Sequence, residues 1–538
     1  MRPISRRLFL AGTAAVVVGS CSDDSEKTET TGNSSPVTEQ ADATTTEPTA
    51  EPATTSTLAP VDLHDDPFTL GVASGDPDAT SVVLWTRLAP NPLEGGGMPE
   101  DEVPVEWEVS ASADFSSIEA SGVSIASAAY GHSLHTVVEL GEGDWYYRFR
   151  VSQYTSPVGV THTSPAADTA PAEVRFAAAS CQNYSHGYYA AHRDIAEQRP
   201  DFVLWLGDYI YESAGEDDDA DDARVHVGPE PTTIVEYRNR YALYKSDPHL
   251  KTSHATCPWF VVWDDHEVEN NYAGLTPQNP ADAADFANRR AVAYQAWWEH
   301  QPTRLDPPEG SEFRIYREAA WGGLLTLALL DGRQYRSDQA CGDVTMSLDP
   351  ACPETTDPSR TMLGEEQEQW LYDTLDASTA VWNMIGNQVV MADATFNGAV
   401  LNYDQWDGYP VERERILQHL AAATVPNVVV ITGDIHLAAV AQLSAAGNGA
   451  RTPVGVEFIT TSISSDGLVG DELTDVLKSF PELVDAELLH RGYSLHTVTA
   501  ESWTAEYRIV ADVDDPDSAV TTLSTYLVME GSNTVAIA

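Results

Sequence analysis

Four apolar runs in this sequence each end in side chains able to hold a metal ion. Phe176-Ala177-Ala178-Ala179-Ser180 is followed by Cys181, and Phe202-Val203-Leu204-Trp205-Leu206-Gly207 by Asp208. Phe260-Val261-Val262-Trp263 is followed by Asp264, Asp265 and His266, and Val428 to Gly433 by Asp434 and His436. In Gly207-Asp208-Tyr209-Ile210-Tyr211 a carboxylate and a phenol stand where one turn brings both to one ion. A phenolate is favoured only by a strongly acidifying cation such as a ferric ion; the alternative for Tyr211 is a buried core tyrosine. Asp265 and Asn270 or Asn271 supply oxygen ligands for a hard divalent ion, and His266 supplies a proton or a hydrogen bond to the reacting group. In that segment a helix cap by Asp264 or Asp265 is the structural alternative. Asp434 and His436 point to the same side in extended geometry.

The elements that must present these residues read as buried strands. The runs Phe176–Ala179, Phe202–Leu206, Phe260–Trp263, Leu324–Leu330, Val381–Ile385, Val428–Ile431 and Val456–Ile459 are mostly apolar, as in strands covered on both faces of a layered α/β fold. Ligands bind outside the carboxyl ends of such strands. Pro280–His300 and Gly364–Leu375 read as packing helices, and the pair Trp297-Trp298 as core. Tyr493 to Val510 reads as two antiparallel strands closing the sheet. Before Pro171 the texture differs: short alternating strands at Ser81–Thr86, Val105–Val109, His135–Leu140 and Trp145–Val151 suit a small β-sandwich.

Composition bounds the partners. Acids outnumber Lys plus Arg by 83 to 29 in 538 residues, giving a net charge of −54. Nucleic acid and anionic lipid surfaces need a basic footprint and are therefore not expected as partners. Adaptation to high salt is an open second reading of the same surface. The acidic stretch Glu216 to Asp222 lacks the spacing of a calcium loop and reads as a solvated loop.

At the start, Arg2, Arg6 and Arg7 precede an apolar stretch from Leu8 to Val18, an export signal. Ser5-Arg6-Arg7-Leu8-Phe9-Leu10 resembles a twin-arginine signal and Val18-Gly19-Ser20-Cys21 a lipobox, which makes Cys21 a lipid-anchored first residue and the lipid the only membrane contact. Ser22 to Pro60 lacks the apolar residues to offset its ordering entropy and reads as a tether. An oxidising compartment permits disulfides, and Cys341 with Cys352 is the expected pair.

The ordered set of one ligand after the first strand, Gly-Asp-x-x-Tyr, a segment with a His followed by an acid, and Gly-x-x-His resembles the calcineurin-like binuclear metallophosphatases. Two departures, Cys181 for the usual aspartate and Gly433-Asp434-Ile435-His436 for Gly-His-x-His, are similar to the PhoD-type alkaline phosphatases. So are the segments Trp263 to Asn271, Leu330-Asp331-Gly332-Arg333-Gln334-Tyr335-Arg336 and Leu70 to Pro77. The likeness covers roughly residues 66 to 510. It implies a twin-arginine signal, a PhoD-type N-terminal β-sandwich (63–170) and a metallophosphatase domain (171–538) of two central mixed sheets flanked by helices, following the lipoprotein-type signal (1–21) and tether (22–62) read from the residues above.

It further implies one ferric iron (Fe3+) held by Cys181, Asp208, Tyr211 and His436. Asp208 would bridge to calcium (Ca2+), held further by Asp434 and by Asp265 or Asn270. A metal-activated hydroxide or oxide would attack the phosphate ester, and Arg333 and Arg336 would either clamp its oxygens or pair with nearby acids. The expected protein is an exported, monomeric alkaline phosphatase. The rivals are a diesterase acting on phospholipids or teichoic acids, like a phospholipase D, and a non-catalytic surface lipoprotein.

Overall fold

The computed structural model describes residues 62–538 apart from 216–221, 343–348, 424, 448–450, 468–476 and 478–479. The export signal, the lipobox Cys21, nearly all of the tether and most of the acidic Glu216–Asp222 loop therefore lie outside the described residues. Among those described, no helix is long and apolar enough to cross a membrane.

All seven apolar runs are strands, and they divide between two sheets. Glu173–Ala179, Phe202–Trp205 and Pro258–Val261 lie side by side in parallel, with Trp205 opposite both Ala179 and Val261. In the second sheet Leu325–Leu329, Trp382–Gly386, Val428–Thr432 and Arg451–Ile459 are likewise parallel neighbours. Val428 to Ile431 is β-branched throughout, which suits a strand buried on both faces. Its alternate residues serve two cores. Val429 and Ile431 pack with Phe176 and Leu204 of the first sheet, while Val428 and Val430 pack with Leu371, Ile416 and Leu420 of the helices Gly364–Ala377 and Pro410–Ala423. The order is therefore helix, sheet, sheet, helix, and Trp297 is core, its ring 5.1 Å from that of Trp263.

The N-terminal region is a β-sandwich that shares a sheet with the rest of the fold. Val72–Gly75 pairs in parallel with Pro258–Val261, so Ser81–Arg87 and Ser133–Glu139 extend the first sheet to ten strands among the described residues. Val103–Ser110, Ala120–Ala126 and Asp144–Val151 form most of a separate five-stranded sheet facing it. Val82, Leu84, Val105 and Phe149 fill the space between the two. At the other edge Gly492–Thr499 and Ser502–Val510 close on Glu173–Ala179 as expected, and the chain adds Val520–Met529 and Val535–Ile537 beyond them. Cys341 and Cys352 form a disulfide with Cα atoms 5.9 Å apart, while Cys181 and Cys257 are free and buried.

Candidate metal centre

The carboxyl ends of the two parallel strand sets meet, and every one of the four strand-end segments reaches the meeting point. One donor atom each from Cys181, Asp208 and His436 lies within 4.8 Å of the others; so do donors of Asp208, Asp265 and His266, and of Asp264, Asp265 and Asp434. Asp208 belongs to the first two groups and Asp265 to the last two, so the three are one continuous cluster. Tyr211 joins it through Oη, 2.9 Å from Asp208 Oδ2 and 3.1 Å from His436 Nε2. Tyr211 is buried, but as part of this cluster rather than of the apolar core.

The backbone is bent to bring this about. Cys181, Asp208, Asp434 and His436 have φ of 58°, 56°, 65° and 54°, a region that non-glycine residues rarely occupy. Such strain persists only where surrounding contacts hold it, and it concentrates at functional sites. The Glu267 carboxylate is one such restraint: it accepts the N–H groups of Asp208 at 3.0 Å, Tyr209 at 2.5 Å and Asp264 at 2.9 Å, locking two of the strand-end loops together. Gly207, with φ of 114°, lets the same two loops touch, since a Cβ there would lie 2.4 Å from that of Asp264.

Each carboxylate is pinned through at least one oxygen. Asp208 Oδ2 accepts from Tyr211, Asp265 Oδ2 from the N–H of Asn271 at 2.6 Å, Asp434 Oδ2 from Gln405 at 2.6 Å, and Asp264 Oδ1 from Arg333. The remaining oxygens Asp208 Oδ1, Asp265 Oδ1 and Asp264 Oδ2 are buried with no hydrogen-bond partner. Burying a carboxylate oxygen without a partner is costly, and three in one cluster is the pattern a bound cation satisfies. Electrostatics agree. Burial, reinforced by neighbouring Asp265, Asp264 and Glu267, pushes Asp208 far above the usual carboxylate range; burial raises Asp264 likewise and Asp434 to about 7. Burial also lifts the Cys181 thiol and the Tyr211 phenol, with the Asp208 charge adding to both. His436 is driven down to about 3 by burial and is neutral, as a ligand imidazole must be.

The donors sort by chemistry. Cys181 Sγ, Tyr211 Oη, His436 Nε2 and an Asp208 oxygen are a set suited to ferric iron, and the Asp264, Asp265 and Asp434 oxygens suit a hard divalent ion such as calcium. His436 Nδ1 hydrogen-bonds to the carbonyl of Asp466 at 2.5 Å, which leaves Nε2 for a metal. His266 stacks on the Tyr211 ring at 4.1 Å between centroids and hydrogen-bonds through Nδ1 to Glu212 Oε2 at 2.6 Å. Burial alone would lower His266, but the Glu212 carboxylate overrides it and raises the imidazole well above 6.5. Glu212 answers in kind: burial would raise it, yet the His266 charge holds it at about 2.

Arg333 and Arg336 take the second of their two expected roles. Both side chains are wholly buried. Arg333 donates to Asp264 and, at 2.8 Å, to Asp404, and its Nη2 lies 3.5 Å from Asp265 and from Asp434. Arg336 is spent on Asp404 at 2.6 Å, the Gly332 carbonyl at 2.6 Å and Met362. The guanidinium groups offset the cluster's own acids. In the Asp265–Asn271 segment Asp265 lies in the cluster, the N–H of Asn270 donates to Glu212 at 2.8 Å, and the segment is a turn rather than a capped helix.

Sequence reasoning missed Glu212, Glu267, Asp404, Gln405, Ser465 and Asp466. Glu212 and Glu267 flank marked residues and were within reach of the reading. The others are brought in by loops whose local sequence carries no signal.

The PhoD-like phosphatase family model matches residues 176–507, and the model of the PhoD-like phosphatase N-terminal domain matches 53–165. Alkaline phosphatase D of Bacillus subtilis (strain 168) is 43% identical over 473 residues, spanning 86% of this chain and 80% of that protein. A solved structure of PhoD superposes with a TM-score of 0.85 at 41% identity, covering 89% of this chain and 93% of the other.

Proposed function

This chain belongs to the PhoD-like phosphatase family, and from that premise we propose that it is an exported alkaline phosphatase acting on phosphate esters at a ferric iron and calcium centre. That it is a phosphoric ester hydrolase follows from the family and from its likeness to alkaline phosphatase D. The observation that carries the metal reading is the set of orphaned oxygens on Asp208, Asp264 and Asp265, converging with a thiol, a phenol and an imidazole. Cys181, Asp208, Tyr211 and His436 would hold iron; Asp208, Asp264, Asp434 and Asp265 or Asn270 would hold calcium.

When bound, the cations supply Lewis acidity: they draw charge from the phosphoryl oxygens and acidify water. The chain's own residues do the rest. Glu212 takes Nδ1 of His266, so the transferable proton sits on Nε2, and we assign to it protonation of the leaving alkoxide. Arg333 balances Asp264, Asp404, Asp265 and Asp434, holding four acids together until cations join them. Export and lipid anchoring at Cys21 rest on the twin-arginine and lipobox residues, and the Cys341–Cys352 disulfide suits an oxidising compartment. The expected substrate is a monoester.

The test is elemental analysis of the purified full chain alongside hydrolysis of a chromogenic phosphate monoester and its bis-ester. We expect iron and calcium bound to the protein and faster turnover of the monoester. Protein that hydrolyses the ester while free of iron would defeat the iron assignment. A preference for the bis-ester would make the enzyme a diesterase, and an inert chain would leave only a surface lipoprotein.

A further inference from the structure

The loop after strand Arg451–Ile459, Thr460 to Asp466, reaches the centre from behind, and Ser465 within it is fully buried. Its Oγ accepts the N–H of Asn183 at 2.9 Å and has two acceptors within reach, the Cys181 carbonyl at 2.9 Å and Tyr211 Oη at 2.9 Å. A hydroxyl has one proton to give, so Ser465 serves one of these at a time. The Cys181 carbonyl already receives the N–H groups of Ser464 at 3.4 Å and Ser465 at 3.3 Å. Tyr211 Oη has its other partners, Asp208 Oδ2 and His436 Nε2, on the cluster itself. Where a cation takes the phenol proton's place among those three residues, the Ser465 hydroxyl is the oxygen's remaining hydrogen-bond donor in this structure.

The serine cannot swing away. Ser462 Oγ donates to the Ser465 carbonyl at 2.6 Å, Ser464 Oγ to the Asn183 carbonyl at 2.7 Å, and the Asp466 carbonyl is tied to His436 Nδ1 at 2.5 Å. The loop thus contacts Cys181, Tyr211 and His436, three of the four residues assigned to iron. Hydrogen bonds to a ligand atom tune how strongly it donates to its metal. We propose that Ser465 is a positioning residue that donates its hydroxyl proton to the Tyr211 oxygen and thereby limits how strongly that oxygen donates to ferric iron. The inference rests on the iron reading above and adds to it a residue that touches no metal.

The experiment is the visible spectrum of the iron-loaded full chain, in which a tyrosinate ligand gives a charge-transfer band, compared with Ser465→Ala and Ser465→Thr. An oxygen stripped of its hydrogen bond is a stronger donor, so Ser465→Ala is expected to keep its iron and shift the band to longer wavelength. Its ferric state should also be reduced at a lower potential, and Ser465→Thr, which keeps the hydroxyl, should restore both. Should the variants fail to fold, resonance Raman of the native protein, loaded with iron in H2O and in D2O, reads the same bond: the tyrosinate C–O mode should move with the isotope. An Ala variant with an unshifted band, or an isotope-insensitive mode, overturns the role of Ser465 while leaving the iron site standing. A native protein that takes up no iron, or binds it without the band, overturns the iron reading and this inference together.

Discussion

At the residue scale the cluster holds most of its donors by one atom and leaves another free, Asp208, Asp264 and Asp265 each keeping one unpartnered oxygen. A neighbour pins one oxygen of Asp208, Asp264, Asp265 and Asp434, and Asp466 and Glu212 take Nδ1 of His436 and His266. This arrangement predicts different failures for different residues. His266→Ala is expected to retain both metals and lose about 10²- to 10⁴-fold in kcat, the range for a general acid. Glu212→Gln, which leaves the ring but weakens its anchor, should lose about 10- to 100-fold with metal content unchanged. Metal analysis beside steady-state kinetics reads both, and a variant that loses its metals would recast the pair as part of the metal shell. Because Glu212 sits at about 2, below its ordinary 4.5, the stability it contributes is complete above about pH 4.5 and lost as pH falls toward 2. The difference in unfolding free energy between native protein and Glu212→Gln should therefore shrink in that acid window, and shrink again at alkaline pH as His266, which Glu212 raises well above 6.5, loses its proton. Cys181, Asp208, Asp434 and His436 were legible in the sequence because each stands just past a buried strand. Ser465 and Asp404 were not, because what defines them is a partner hundreds or tens of positions away: Ser465 meets Cys181 across 284 positions, and Asp404 meets Arg333 across 71.

At the scale of the element, the strands supply direction and the bends that follow them supply convergence. The apolar runs announced the strands, since residues such as Val428 to Ile431 have no polar face to offer water. What they did not announce was pairing. Nothing in Val72–Gly75 shows that it lies beside Pro258–Val261, so the sandwich read as a separate domain although it shares the ten-stranded sheet. Gly207 tests the importance of convergence. A methyl there would strike Asp264, at a φ of 114° that strains any other residue. Gly207→Ala is therefore expected to cost roughly 2–5 kcal/mol, combining backbone strain with overpacking. It should weaken metal binding more than it disturbs the distant five-stranded sheet. Urea unfolding and calcium titration measured together check this; native-like calcium affinity in a destabilised protein would show that the two loops need not touch to hold the ion.

Across the whole molecule two electrostatic burdens coincide, and salt separates them. The surface carries a net charge of −54, whose self-repulsion is longer in range at about 0.1 M salt, with a Debye length of roughly 10 Å, than at 1 M, where it is roughly 3 Å. Inside, burial pushes Glu457 up to about 7 although Met391, Ala392 and Thr432 donate to it, and pushes Glu412 up to about 7 beside Met362 and Thr361. A carboxyl raised above its unfolded value binds its proton more tightly when folded. Its cost is therefore absent below about pH 4.5, grows as pH rises, and is complete above about 7. Together the two groups should remove on the order of a few kcal/mol of stability between pH 5 and 8. Unfolding free energies of protein loaded with metal, in which cations would offset the carboxylates of the cluster, are expected to rise with salt at pH 8. They should still fall with increasing pH at 1 M salt, because buried groups are screened little. Glu457→Gln should flatten the slope that remains. If 1 M salt alone abolishes the pH dependence, the surface carries all of it and the two buried acids ionise without cost.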